Sequence, residues 1–373
     1  MQGLATVIQD IGWYGVLAFV VTVFATPVAA LAARRWGVLD MPDRDLKPHA
    51  RPTPYLGGTA ICLGWAAALV AAIFLFPGLQ VRAVLSVLLG GLAMSALGVA
   101  DDVLDIPAKL RLSASALIIA IVMAASGVGE DLAHSLLVPL GLNPSPWIGI
   151  PISFLFGLFI VLGACNSANL IDGLDGLCAG VTAVISLGFL LIAIHLAVEE
   201  YSREANGTRL VVAIAMLGAT LGFLPMNFNP AKIFMGDAGS VLLGYNCGML
   251  LLLFDERGNT LRWVCAGLMV FALPILDTAL AIVRRGLSGR SILSGDRSHF
   301  YDQLVDRGMS VRQVVIISYG LAAFYALLGC SSIFLRFRYS MVLYVIAIAA
   351  TALVVFSAGM VKPDESRPPP ESP

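Results

Sequence analysis

Of the chain's 373 residues, 58% are hydrophobic and only 13% charged, and the mean hydropathy is +0.88. Such an excess of apolar residues excludes a large soluble core and predicts an all-α polytopic membrane protein. A net charge of −1, with the 23 basic residues scattered along the chain, excludes a nucleic-acid partner.

The first apolar run covers about Ile11–Ala33. Its TPVAALA stretch looks like a signal-peptidase site, but nothing basic precedes the run and Arg34-Arg35 follow it. That order is the reverse of a secretory leader, so a retained helix is expected. Further runs lie at about 56–76, 82–100, 112–128, 148–165, 177–197, 209–226, 239–254, 261–283, 313–335 and 339–360, which makes about 11 spans. Turn chemistry separates them at Pro77-Gly78, Asn143-Pro144-Ser145-Pro146 and Asn206-Gly207. A short interfacial helix is expected within Gly129–Leu142. All six cysteines lie in or at the ends of apolar runs without metal spacing and read as packing residues. Residues 1–361 form one membrane domain on this reading, followed by a disordered tail at 362–373.

Eleven spans place the termini on opposite sides. With the N-terminus outside, 16 of the 23 Lys and Arg residues fall in inner segments, so the expected orientation is N-out, C-in. Every concentrated group of acids and amides then faces the cytoplasm. The third inner loop, NSANLIDGLDG at Asn166–Gly176, lies between two apolar runs, where a carboxylate is costly and reads as functional. Asn166, Asn169, Asp172 and Asp175 recur every three residues, so a 3₁₀ segment would line them on one face. A capped helix–helix turn is the alternative for each of them taken singly.

The second inner loop opens with Asp101-Asp102, adjacent carboxylates that repel and need a cation to stay ionised beside an apolar span. Magnesium suits them, because it takes one or two protein carboxylates and fills its other positions with water and phosphate. Asp237, between Gly236 and Gly239 in FMGDAGS, is the best single candidate ligand. Against this, the acidic pair alone also reads as a solvated helix end, and GDAGS as a helix N-cap. Lys109, Arg290 and Arg297 are placed to neutralise diphosphate oxygens. His299 is positioned for donation to a phosphate or for proton transfer, or else for a local bond to Asp296 or Asp302. Phe234 offers a ring to a planar base, or plain packing. Asp277 falls inside the ninth span and requires a buried partner; a structural bond to a neighbouring helix is expected.

Six segments together carry a resemblance: PTPYLGG at 52–58, DDVLDI at 101–106, NSANLIDGLDGL at 166–177, NFNPAKIFMGDAGS at 227–240, PILDT at 274–278 and DRSH at 296–299. In this order the chain resembles the polyprenyl-phosphate N-acetylhexosamine-1-phosphate transferase superfamily. The resemblance implies transfer of a sugar 1-phosphate, most readily N-acetylglucosamine 1-phosphate, from a UDP-sugar to polyprenyl (undecaprenyl) phosphate. It implies release of UMP at the inner face of the plasma membrane, Mg2+ as cofactor with Mn2+ as a substitute, and relatives that often pair as homodimers. Residue by residue, it implies a catalytic acidic pair in Asp101 and Asp102, a metal ligand in Asp237, and Asn169 near metal and diphosphate. It further implies uridine or phosphate contacts at Phe234 and Asn227, the basic position after the acidic pair at Lys109, and the first histidine of the last-loop motif in His299. Many relatives carry further histidines where this chain reads Phe300, Tyr301 and Asp302. That departure disfavours the phospho-muramoyl-pentapeptide transferases within the superfamily. A transporter with intramembrane acids is the reading from another class, and acids gathered at one side without an internal repeat count against it.

Overall fold

A computed structural model of the chain describes residues 4–41, 52–76, 79–138, 141–199, 203–255, 260–289 and 298–361. Arg290, Arg297 and the tail at 362–373 lie outside the described residues. The described elements run α1 (Leu4–Trp36), β1 (Leu39–Asp40), β2 (Thr53–Pro54), α2 (Gly57–Leu75), α3 (Val81–Leu104), α4 (Ala108–Ser126), α5 (Leu132–Leu137), α6 (Pro146–Leu170) and α7 (Leu177–Val198). They continue as α8 (Arg203–Asn227), α9 (Asp237–Leu253), α10 (Thr260–Val270), α11 (Ala272–Leu287), α12 (Phe300–Asp306), α13 (Val311–Phe334) and α14 (Phe337–Ser357). The two short strands pair antiparallel, Leu39 opposite Pro54 and Asp40 opposite Thr53.

Each apolar run becomes helix, as burial of backbone polar groups in hydrocarbon demands. The number of full spans differs from eleven. Among the described residues nine helices are long and apolar enough to cross a membrane, or ten if α10 and α11 count as one bent span. Those two meet at a 73° break inside the run expected to be a single helix at 261–283. Pro274, in the first turn of α11, supplies the reason: it has no N–H to give to the preceding turn, and its ring disfavours helical backbone just before it. The eighth run, at 239–254, forms α9, which has only 17 residues. It is largely apolar, and every residue from Ala238 to Leu253, Ser240 and Asn246 included, is buried. Within 129–142 the chain forms the six-residue helix α5.

α9 packs against α2, α3 and α6 as the central helix of the bundle. Helices in hydrocarbon gain little from the hydrophobic effect and associate through close packing at small residues. Gly98 of α3 lies directly over the start of α9, where a Cβ would stand 2.5 Å from the Ala238 Cα. Gly58, in the first turn of α2, abuts Gly239, and a Cβ there would run into the Gly239 backbone nitrogen. The segment before α2 also pairs with the segment before α9: Phe234 N–H donates to Pro54 O at 2.8 Å, Gly57 N–H to Phe234 O at 2.9 Å and Gly58 N–H to Met235 O at 2.7 Å. PTPYLGG and KIFMGD, about 180 residues apart, are thus one unit of backbone.

Candidate active site

The last turn of α3 carries the acidic pair, and the two carboxylates face different ways. Asp105 ends the helix in a left-handed conformation with φ 50°. The chain thereby curls back, so that Asp101 Oδ1 accepts the Ile106 N–H at 2.9 Å, while its Oδ2 accepts from Arg111 Nη1. Asp102 points across to α9. Its Oδ1 accepts the Asp237 N–H at 2.9 Å and its Oδ2 the Ala238 N–H at 3.3 Å. A carboxylate on the first amides of a helix satisfies orphan donors and complements the dipole. Gly236 makes room for it: its φ is +72°, and a Cβ there would lie 2.6 Å from Asp102 Oδ2.

Asp237 is the hub of the cluster. Its Oδ1 accepts from Asn169 Nδ2 at 2.8 Å and its Oδ2 from Arg111 Nη1 at 2.6 Å. Asn169 also reaches Ser240 Oγ at 3.1 Å. The structure therefore brings Asp101, Asp102, Asn169 and Asp237 together, from three helices distant in sequence, and adds Arg111. Sequence reasoning passed over Arg111 and chose Lys109. The structure leaves Lys109 exposed, and one guanidinium nitrogen of Arg111 bridges Asp101 and Asp237.

The four polar residues of the NSANLIDGLDG turn do not share a 3₁₀ face. α6 continues through Leu170, so Asn166 turns its amide back onto Leu162 O at 2.8 Å within the helix. Asn169 faces Asp237. Asp175 accepts from Asn229 Nδ2 at 2.9 Å and from the Ala231 N–H at 3.0 Å, which pins the loop after α8. Asp172 differs from all three: among the described residues no hydrogen bond reaches its carboxylate. Burial and the negative charges of Asp237, Asp102 and Asp175 push that carboxyl well above the usual carboxylate range. Asn227 is buried and braces the turn, with Oδ1 accepting the Gly176 N–H at 3.1 Å and Nδ2 donating to Ile233 O at 3.0 Å. Phe234 is half-buried and meets the Tyr55 ring edge-on, at 6.4 Å and 88°. Burial and the charges of Asp102, Asp237, Asp172 and Asp40 raise the Tyr55 phenol above its ordinary value.

The last loop closes on a residue that sequence reasoning did not pair with it. His299 Nδ1 lies 2.6 Å from Asp277 Oδ2, 22 residues back in α11; of the two local partners expected from the sequence, Asp296 lies outside the described residues and Asp302 meets the His299 backbone N–H. Both side chains are almost wholly inaccessible, at 4% and 1%. Asp277 Oδ1 accepts the Phe300 N–H at 3.0 Å, so the expected buried partner of Asp277 is the start of α12. The Asp302 carboxylate accepts the His299 backbone N–H at 3.2 Å.

Among the described residues no three His, Cys, Asp or Glu side chains form a ready-made metal cage. The donor set nevertheless fits magnesium. It consists of hard oxygens, with one carboxylate, that of Asp172, reached by no hydrogen bond among the described residues and surrounded by anionic neighbours, which is the setting of an ion that keeps waters and shares phosphate.

Residues 84–255, from α3 to the end of α9, match glycosyl transferase family 4. Over 357 residues the chain is 33% identical to decaprenyl-phosphate N-acetylglucosaminephosphotransferase of Mycobacterium tuberculosis, covering 90% of this chain and 86% of that protein. The chain belongs to glycosyl transferase family 4. A probable undecaprenyl-phosphate N-acetylglucosaminyl 1-phosphate transferase of Bacillus subtilis is 32% identical over 313 residues, covering 82% and 81% of the two chains. Phospho-N-acetylmuramoyl-pentapeptide-transferase of Desulforudis audaxviator is 30% identical over 337 residues, with 85% and 96% covered. The part of this family 4 protein matched to the family holds the whole Asp101–Asn169–Asp237 cluster and leaves Asp277 and His299 outside.

Proposed function

We propose that the protein transfers N-acetylglucosamine 1-phosphate from UDP-N-acetylglucosamine to a polyprenyl phosphate, releasing UMP at the cytoplasmic face of the plasma membrane as the first step of a cell-envelope glycan. The observation that carries this reading is the meeting of Asp102, Asn169, Asp237 and Arg111 at one end of the helix bundle. Such a place combines carboxylates, an amide and a guanidinium, the groups that a metal-bound diphosphate requires. The names of the relatives support the sugar and the lipid.

The reaction is the attack of a lipid-phosphate oxygen on the β-phosphorus of the UDP-sugar. A new P–O bond forms to the acceptor, the bond from the β-phosphorus to the bridging oxygen breaks, and UMP leaves with that electron pair. A phosphomonoester has a second pKa near ~6, so the acceptor is mostly ionised at neutral pH and no strong base is required. Bringing two anions together is the harder task, and it is met by positioning and electrostatics. Asp237, Asn169 and Asp172 would hold Mg2+. Bound there, the ion supplies charge neutralisation on the diphosphate. Arg111 offers positive charge to the same oxygens, with part of its fork unspent on Asp101 and Asp237. Asp102, committed to two backbone amides, sets the direction of the Asp237 turn rather than accepting the proton. Phe234, buttressed by Tyr55, offers a face for uracil.

Transfer of a phospho-muramoyl-pentapeptide is the weaker reading, because the last loop carries Phe300, Tyr301 and Asp302 in place of further histidines. The deciding experiment incubates the detergent-purified protein with polyprenyl phosphate, Mg2+ and a panel of UDP-sugars, with UMP quantified and lipid products weighed. A product with UDP-N-acetylglucosamine is expected; no product with any UDP-sugar contradicts the reading.

A further inference from the structure

Helix α6 ends at Leu170, one residue past Asn169, and its terminal carbonyls need partners from elsewhere. For Leu170 O that partner is the Tyr301 hydroxyl, which donates at 2.7 Å from the first turn of α12, 131 residues away. The Tyr301 ring is buried, with 3% exposed. It lies parallel to the His299 imidazole, centroids 5.4 Å apart and planes within 7°. On its other side is Gly173, where an added Cβ would meet the tyrosine ring at 2.6 Å and its hydroxyl more closely still. His299 is in turn fixed by Asp277. A continuous path of contacts thus runs from α11 through Asp277, His299 and Tyr301 to the end of α6, where Asn169 reaches Asp237 and where, among the described residues, no hydrogen bond reaches the Asp172 carboxylate.

We infer that Tyr301 is a positioning residue: its hydroxyl on Leu170 O and its ring on His299 lock the Asn169–Asp172 turn to the last loop, holding both side chains in register with Asp237. This inference rests on the proposed reading of Asp237, Asn169 and Asp172 as the magnesium-holding group. Without the hydroxyl the turn keeps Asp175 and Asn227 as anchors on its far side. The end nearest Asn169 loses the hydrogen bond from α12 that holds the Leu170 carbonyl. The expected loss is in the pre-arrangement of ligands rather than in the fold.

The test uses the full chain in detergent with Tyr301→Phe, which keeps the stack and removes the hydrogen bond, and Gly173→Ala, which pushes the ring from the other side. Two quantities are read: the Mg2+ concentration for half-maximal UMP release at saturating UDP-N-acetylglucosamine, and the rise in unfolding temperature that Mg2+ alone produces without substrates. Loss of one hydrogen bond corresponds to about a three- to tenfold rise in the half-maximal Mg2+ concentration, with a matching fall in the Mg2+-dependent thermal rise and most of kcat retained at saturating metal. The double variant is expected to be no worse than the poorer single one, because both act on one contact. Unchanged Mg2+ dependence in Tyr301→Phe, a lower kcat or unfolding temperature without a Mg2+ shift, or fully additive effects would each overturn the assignment. Absence of UMP release in the unmodified protein sinks the transfer reading instead, and the Mg2+ thermal rise still decides Tyr301.

Discussion

Replacing Arg111 by Met, set beside replacing Lys109 by Ala, distinguishes the cation chosen by sequence from the one found in the structure. Arg111 Nη1 stands 2.6 Å from Asp237 Oδ2 and also binds Asp101. At an effective dielectric of about 20, one such contact has a gross attraction of about 6 kcal/mol. Most of that is offset by desolvation. The Arg111 side chain is 31% exposed and that of Asp237 20%, so the net loss lies between the surface and buried cases, about 1–3 kcal/mol. Because 1.4 kcal/mol is a factor of ten, Arg111→Met is expected to lower kcat/KM for the UDP-sugar by roughly ten- to a hundredfold. Lys109, exposed at the start of α4, should cost less than about threefold, the scale of a surface charge. Arg111→Lys is the informative control. A single nitrogen serves both carboxylates, so an ammonium reproduces the bridge without the planar fork and should restore activity to within about tenfold of wild type. UMP release under initial-rate conditions, with each variant matched for Mg2+, measures all three. A severe loss in Lys109→Ala together with near-normal Arg111→Met would refute the reasoning.

Gly58→Ala puts a methyl group into the Gly239 backbone, where neither chain has a flexible side chain to yield. It should destabilise by about 1–3 kcal/mol or more, seen as a lower unfolding temperature in detergent; a stable, fully active variant would contradict the docking of PTPYLGG on α9. Asp302 supplies a pH dependence. Burial pushes its carboxyl up to about 7, against the pull of His299 and its backbone N–H. A folded value above the unfolded one near ~3.9 means that this contribution to stability is complete below about pH 4 and is lost as pH rises through about 7. Asp302→Asn should therefore flatten the unfolding temperature between those pH values, and an unchanged slope would remove Asp302 from the account.

Hydropathy made the helices legible, because a backbone in hydrocarbon has few other choices, and it placed the acids around Asp101, Asp172 and Asp237 at helix ends. It could not show that α9 is a short, wholly enclosed helix, since a 17-residue apolar run looks the same whether lipid or protein surrounds it. The break between α10 and α11 had one visible signal, Pro274, which a window average dilutes. Spacing misled at Asn166 to Asp175: a three-residue period is real in the sequence, but the helix runs on to Leu170 and gives each residue its own task. Lys109 was chosen over Arg111 because nearness in sequence to Asp102 was all that ranked them, whereas the left-handed turn at Asp105 swings the later residue inward. The bond from Asp277 to His299 was beyond pattern reading altogether, since Asp296 and Asp302 were nearer in sequence and only the tertiary fold brings Asp277 of α11 to the start of α12.

The central claim, that Asp237 holds the metal between nucleotide and lipid, is tested most directly by Mg2+-dependent UMP release in Asp237→Ala. Its first-turn position means that the helix itself survives the change, and α9 remains buried on all sides, so a folded but inactive protein is expected. Removal of the carboxylate should reduce turnover to the level seen in the unmodified protein with the metal chelated. Turnover like that of the unmodified protein, with an unaltered response to Mg2+, would contradict the account.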